Sequence, residues 1–186
     1  VTTGAFEMSE SIPYNFWGGG DFLMGEGDSY YRNEAFRFFQ EGYDRQTEGE
    51  IEEAIALYQK SIEIYPTPEA YTFLGWAYSF QGRYDEAIEE CRRAIDLDPD
   101  YGNPYNDIGA YLMEKGKLDD AIPWFEKAIH AKRYEAYCYP HYNLGRVWER
   151  KGEWEKARLC YQNSLHANPE YTLAKRAWNR LQGMMN

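Results

Sequence analysis

The strongest constraint on how this chain can fold is that it repeats itself. The segments EGEIEEAIALYQKSIEIYP at 48–66, QGRYDEAIEECRRAIDLDP at 81–99, KGKLDDAIPWFEKAIHAKR at 115–133 and KGEWEKARLCYQNSLHANP at 151–169 are four versions of one block. Gly49, Gly82, Gly116 and Gly152 lead the blocks, and Ala54, Ala87, Ala121 and Ala157 follow five residues later, spaced 33, 34 and 36 apart. Seven residues before each leading glycine stands another, at Gly42, Gly75, Gly109 and Gly145. A unit of this size cannot bury its apolar face alone, so copies must stack into a solenoid with one continuous core.

The residue types say what each unit is. Small residues such as Gly75 with Ala87, or Gly109 with Ala121, let two helices approach closely, while Tyr71, Leu74 and Tyr78 fill the space beside them. Pro66, Pro99 and Pro169 close three of the blocks, where a helix must stop and the chain turn. Period and pattern together resemble the tetratricopeptide repeat family, over roughly residues 35–169. The resemblance implies an all-α fold, a right-handed superhelical solenoid of antiparallel helix pairs. Repeats fall at 35–67, 68–101, 102–137 and 138–170, followed by a capping helix and C-terminus over 171–186. Leu173, Ala177, Trp178 and Leu181 give that last helix an apolar stripe able to cover the end of the stack. The third repeat departs from the pattern. It carries Arg133 where Pro is expected and a connection two residues longer, which implies an altered angle between repeats three and four.

Residues 1–34 form a Gly/aromatic-rich extension of different composition, expected to be mostly irregular because Gly18, Gly19, Gly20, Gly25 and Gly27 oppose a helix through its middle. Its apolar residues, Phe6, Phe16, Trp17, Phe22, Leu23 and Met24, call for a surface. Three docks are open: a cap on the first repeat, the chain's own groove or that of a second copy, or a partner.

In the family, first helices line a concave surface that holds the ligand. Carried over by register, that surface would comprise Phe39, Tyr43 and Gln46; Thr72, Trp76, Ser79 and Phe80; Asn103, Asn106, Ala110 and Met113; and Tyr139, Tyr142, Arg146 and Arg150. The binding set drawn from it is Phe39, Tyr43, Thr72, Trp76, Phe80, Asn103, Asn106, Tyr139, Tyr142 and Arg146. Trp76 and Phe80 lie one turn apart, on the side opposite Leu74 and Tyr78. Asn103 and Asn106 suit the backbone of an extended peptide or a helix cap. Arg146 and Arg150 suit a carboxylate, with Glu149 and Glu153 as competing partners. One subclass of the family clamps the terminal carboxylate of chaperones with Lys, Asn and Arg on successive first helices. Here those places hold Phe39 and Tyr43 or Thr72 and Trp76, then Asn103 and Asp107 or Tyr139 and Asn143, so the clamp is absent.

Composition narrows the partner. Eighteen Tyr, nine Phe and six Trp exceed what a core of 186 residues needs, which leaves aromatics for a recognition surface. The net charge of −11 argues against nucleic acid, whose phosphates require a basic face. The charge is uneven: residues 1–101 carry −14 and residues 102–186 carry +3, a gradient able to orient a docking protein. No run of about 18 apolar residues offers a transmembrane segment. Cys91, Cys138 and Cys160 lack the spacing of a zinc site or disulfide framework, and neither metal nor cofactor is expected. Free thiols favour the cytoplasm slightly over export. The stretch after Val1 has no signal-peptide pattern, as expected of a processed or trimmed chain.

These features point to a non-enzymatic module, an adaptor or accessory subunit that binds a protein or peptide segment. The alternative is a transient, co-chaperone-like assembly factor. A thiol enzyme built on Cys138 and His141, three residues apart, is the remaining class.

Overall fold

The computed structural model describes residues 26–185, with side chains from 29 to 184. Among these residues all regular structure is α-helical, in nine helices: α1 (Glu26–Glu48), α2 (Ile51–Ile64), α3 (Pro68–Phe80), α4 (Tyr84–Leu97), α5 (Asn103–Glu114), α6 (Leu118–His130), α7 (Cys138–Arg150), α8 (Trp154–Ala167) and α9 (Thr172–Met185). The expected docking of the leader lies outside the described residues as far as position 25. Residues 26–34, by contrast, are helical rather than irregular, because α1 begins at Glu26 and runs through Gly27. A glycine in the first turn interrupts no intrahelical bond, and the following stretch to Phe39 contains no further Gly or Pro.

Local chemistry sets the helix ends. Acidic pairs stand in the first turns of α2 (Glu52, Glu53), α4 (Asp85, Glu86) and α6 (Asp119, Asp120), where they meet the positive end of the helix dipole. At α3 the Thr67 side chain accepts a hydrogen bond from the Ala70 amide at 3.1 Å, and Pro68 opens the helix without wasting a donor. Between the two helices of repeat two, Gly82 takes φ +72°, while Arg83 N donates to Tyr78 O at 3.1 Å and Gly82 N to Ser79 O at 3.0 Å. This left-handed cap satisfies the last carbonyls of α3 and reverses the chain. The leading glycines of the other blocks share its positive φ.

Within each pair the helices touch through the small residues. Ala54, Ala87, Ala121 and Ala157 are all fully buried. A Cβ on Gly109 would come within 2.7 Å of the Phe125 ring, and one on Gly75 within 2.8 Å of the Ala87 carbonyl oxygen. Larger side chains there would separate the pair or force neighbours off their rotamers. The pairs stack in order, so the first helices α1, α3, α5 and α7 form an inner layer and α2, α4, α6 and α8 an outer one. Phe39, Tyr58, Leu74, Tyr78, Cys91 and Ile108 make the core of the first half. Met113, Phe125, Leu144 and Val147 continue it. Ala177 and Leu181 of α9 then close the last repeat against Tyr161, and Arg180 fastens α9 to α7 through Glu149 at 2.6 Å.

The long connection of repeat three folds back over the preceding repeat. Arg133 pairs with Tyr101 in an isolated parallel β-bridge, with Gly102 N donating to Arg133 O at 3.0 Å and Arg133 N to Asp100 O at 2.9 Å. Its guanidinium donates to Glu69 Oε1 and to Asp98 Oδ2, each at 2.7 Å, and lies over the Tyr101 ring. Tyr134 is pressed onto Gly102 so closely that no other residue fits there.

Candidate functional site: the inner groove

A helix offers one face through residues three, four and seven apart. On the first helices this face repeats in register. Residues 39, 72, 106 and 142 correspond, as do 40, 73, 107 and 143, and 43, 76, 110 and 146. The third set, Tyr43, Trp76, Ala110 and Arg146, forms the row along the groove.

The first and second sets make the seams between inner helices. At the α1/α3 seam Phe39 is fully buried, its ring 5.1 Å from Phe73 and 5.7 Å from Tyr58. At the α5/α7 seam Asn143 Nδ2 donates to Asn106 Oδ1 at 3.1 Å, both residues buried. At the α3/α5 seam Thr72 is buried and its hydroxyl donates to Pro68 O at 2.7 Å. Phe39, Thr72 and Asn106, expected on the inner face, therefore lie beneath it. Phe39 and Asn106 meet side chains of the neighbouring helix, and Thr72 is turned back onto its own helix. Gln46 and Met113 are buried as well, Gln46 accepting from the Tyr58 hydroxyl at 2.9 Å, and Ala110 is nearly covered.

The residues of this face that keep some exposed surface group by chemistry. Tyr43, Phe73, Trp76 and Phe80 form a run of rings with centroids 5.9, 5.6 and 5.8 Å apart in sequence. Tyr43, Phe73 and Trp76 are partly exposed and Phe80 is 57% exposed. Asn103 is partly exposed at the start of α5, where Gly102 occupies the cap position and no side-chain cap bond forms. In α7 the partly exposed rings of Tyr139 and Tyr142 stand edge-on to Tyr171, at 5.2 and 5.3 Å. These rings are shared with the closing turn before α9.

The basic end is tied down from an unexpected side. Arg146 and Arg150 both approach Glu114 of α5, at 3.6 and 3.8 Å. Arg150 also donates to the Met113 carbonyl at 3.0 Å. The carboxylates expected to compete are engaged elsewhere, Glu149 with Arg180 and Tyr161, and Glu153 with Lys156. Two guanidiniums against one carboxylate leave a net positive charge at this end.

Phe73 and Asp107 were missed as groove residues by sequence reasoning. Their signal was available, since Phe73 stands three residues before Trp76, and Asp107 four after Asn103 and three before Ala110, spacings that share a helix face. Asp107 is buried, and the loss of solvent pushes its carboxyl up to about 7. Cys138, by contrast, is buried and its thiol is pushed up by desolvation, the reverse of what a nucleophilic thiol requires. Burial also lowers His141. Among the described residues no group of three or more His, Cys, Asp or Glu is placed to hold a metal. No helix among them is long and apolar enough to cross a membrane.

A stack of helix pairs whose first helices form one inner layer is the architecture of a helical-repeat protein. Sequence models of the tetratricopeptide repeat match residues 68–101, 138–171, and 45–68 with 103–134. The chain belongs to the tetratricopeptide repeat family, whose members are protein-interaction modules. It is 31% identical over 77 residues to the small glutamine-rich tetratricopeptide repeat-containing protein 2 of Mycosarcoma maydis, covering 41% of this chain and 22% of that one. It is 25% identical over 118 residues to the photosystem I assembly protein Ycf3 of Prochlorococcus marinus, covering 58% and 68%. The chain thus spans less than a quarter of the first relative and about two thirds of the second. Among solved structures, PilF of Pseudomonas aeruginosa superposes with a TM-score of 0.77 at 22% identity, over 86% of this chain and 71% of that one. MamA gives 0.64 at 25% identity, over 77% and 84%.

Proposed function

We propose that this chain is a non-enzymatic adaptor or accessory subunit that holds a peptide segment or partner protein in its inner groove. The observation that carries the reading is the ring row Phe73, Trp76 and Phe80, with Phe80 more than half exposed on the inner layer. Aromatic side chains supply large, stiff contact area and dominate the energetics of protein recognition. Tyr43 extends the row, Asn103 adds amide donors and acceptors at its edge, and Tyr139, Tyr142 and Arg146 mark the far end.

Retention of the native partner by wild type, Trp76→Ala and Phe80→Ala tests the reading. Each substitution is expected to cost about 1–3 kcal/mol of binding with the helical signal unchanged. Undiminished retention by both variants would remove the groove from the function.

A second reading, a transient assembly factor, is supported by the likeness to Ycf3, which is named as a photosystem I assembly protein and is covered over two thirds of its length. Native purification with mass spectrometry separates the two. A stoichiometric companion marks a subunit, and a substoichiometric client marks a factor.

A further inference from the structure

Helix α1 outruns its counterparts. It spans 23 residues, against 13 in α3, 12 in α5 and 13 in α7. Since residue 39 corresponds to 72, Ala35 is the register partner of Pro68, and residues 26–34 run about 13 Å past the point where the inner layer begins. The chain before α1 therefore joins the stack at the tip of an overhang. That leader, residues 1–25, holds two apolar pairs, Phe16-Trp17 and Phe22-Leu23, with Gly18, Gly19, Gly20 and Asp21 between them.

Two surfaces lie within reach of these pairs, and they differ in chemistry. At the end of the stack α1 presents Gln40, the counterpart of the seam residues Phe73, Asp107 and Asn143, and the exposed residues between 35 and 46 are Arg37, Gln40, Glu41 and Asp44. That end needs no apolar cover. The inner face is aromatic instead. Phe36 lies seven residues before Tyr43 on one face of α1, and Tyr43, Phe73 and Trp76 follow with rings 5.9 and 5.6 Å apart, all four residues partly exposed. Along α1 from Glu26, Phe36 is about 15 Å away and Tyr43 about 26 Å. An extended segment returning along the helix brings Phe22 to about 13 Å and Trp17 to about 30 Å from the same point. The two pairs thus fall, within the length of a side chain, beside the two ends of the row.

We propose that the leader of this chain folds back along α1 and lays Phe22-Leu23 beside Phe36 and Phe16-Trp17 against Tyr43, Phe73 and Trp76, as a built-in competitor of the partner segment. Its competition with a partner rests on the groove reading above. Docking removes two sets of apolar surface from water at once. The three glycines between the pairs let the backbone lie close to the rings. A segment tethered at Glu26 meets the row at an effective concentration of about 1 mM, so its own chain outcompetes a second copy at ordinary concentrations. Phe80, one turn beyond Trp76 and exposed, is left for the first contact of a partner that displaces the leader.

A photo-crosslinking amino acid at position 17 of the full chain, with adducts mapped by mass spectrometry, is the first test. Adducts are expected within one chain, on α1 and α3, in a yield unchanged by dilution. Adducts confined to other elements, or formed only between copies, overturn the proposal. The second test adds an acetylated, amidated peptide of residues 12–25 to the full chain carrying Phe16→Ser and Trp17→Ser, both outside the repeats. The expected Kd is about 0.1 mM or tighter, and wild type binds about tenfold more weakly because its own leader competes. Trp76→Ala in the substituted chain is expected to weaken the peptide several-fold. Equal binding to wild type and the substituted chain, or no binding up to about 1 mM, overturns the proposal, since the tether would then leave the row mostly unoccupied. Retention of the native partner separates the two readings. Higher retention by the substituted chain supports competition for the row, and unchanged retention overturns it. A partner crosslinked from position 80 in a chain whose leader fails both tests leaves the groove reading standing without the leader.

Discussion

The Arg133 guanidinium, in the connection after α6, donates to the Glu69 carboxylate of α3 at 2.7 Å, joining residues 64 positions apart. Glu69 is 5% exposed and Arg133 41%, so the buried partner depends on the accessible one. Removing the arginine strands a desolvated carboxylate beside the β-bridge that holds repeat three against repeat two. Arg133→Ala is expected to lower stability by about 1–3 kcal/mol, a cost kept modest by the exposure of the guanidinium. Arg133→Lys should recover little of it, since a single ammonium cannot reach Glu69 and Asp98 in the fork geometry. Thermal melting followed by circular dichroism checks both, and an unchanged melting curve for the alanine variant would show the clasp to be idle.

Glycines at two kinds of position should respond differently. At Gly82 an added Cβ meets nothing within 4 Å, and the cost of alanine is that of the positive φ alone, about 1 kcal/mol. At Gly145 the backbone conformation tolerates alanine, but the Cβ would overlap the Tyr161 ring, which is held by a hydrogen bond from its hydroxyl to Glu149 at 2.7 Å. Gly145→Ala is therefore expected to cost more, about 1–3 kcal/mol. Denaturant midpoints of the two variants measure the order, and the reverse order would contradict the packing described for the helix pairs.

The pH dependence of stability should carry the signature of Asp107. Its folded pKa of about 7 lies above the ordinary value of 3.8, so the unfolded chain loses this proton first. Stability from this group is then fully present below about pH 4 and declines as pH rises to about 7, by a few kcal/mol at most. Glu149, held low by Arg180, works in the opposite sense, its contribution present above the ordinary carboxylate range and lost on acidification. Comparison of wild type with Asp107→Asn isolates the first effect. The variant should gain relative stability between pH 4.5 and 7.5, and parallel curves would place the carboxyl in contact with solvent.

The helix pairs were legible because their determinants are local. Glycine and alanine at fixed spacing mark the close approach of α3 to α4 or α5 to α6, and Leu173, Ala177, Trp178 and Leu181 foretold α9 from its stripe alone. The groove was only half legible, since register tells which face a residue is on but not how far the next helix overlaps it. Phe39, Thr72 and Asn106 share the inner face with Trp76 and Phe80, yet the seams cover the first three and leave the last two open. Pairings across repeats were the least legible. Nothing local to Arg133 indicates Glu69, and Glu114 as the partner of Arg146 and Arg150 depends on how α5 lies beside α7.

The most direct test of the groove as the binding surface uses two positions of equal exposure on opposite layers. Phe80, on inner helix α3, is 57% exposed, and Leu159, on outer helix α8, is 56% exposed. A photo-crosslinking amino acid placed at either position in the full chain reports which layer meets the native partner, free of any bias from accessibility. The expected result is a discrete crosslinked partner from position 80 and none from position 159. A crosslink from position 159 with none from position 80 would place the interaction on the outer layer and contradict the assignment of the groove.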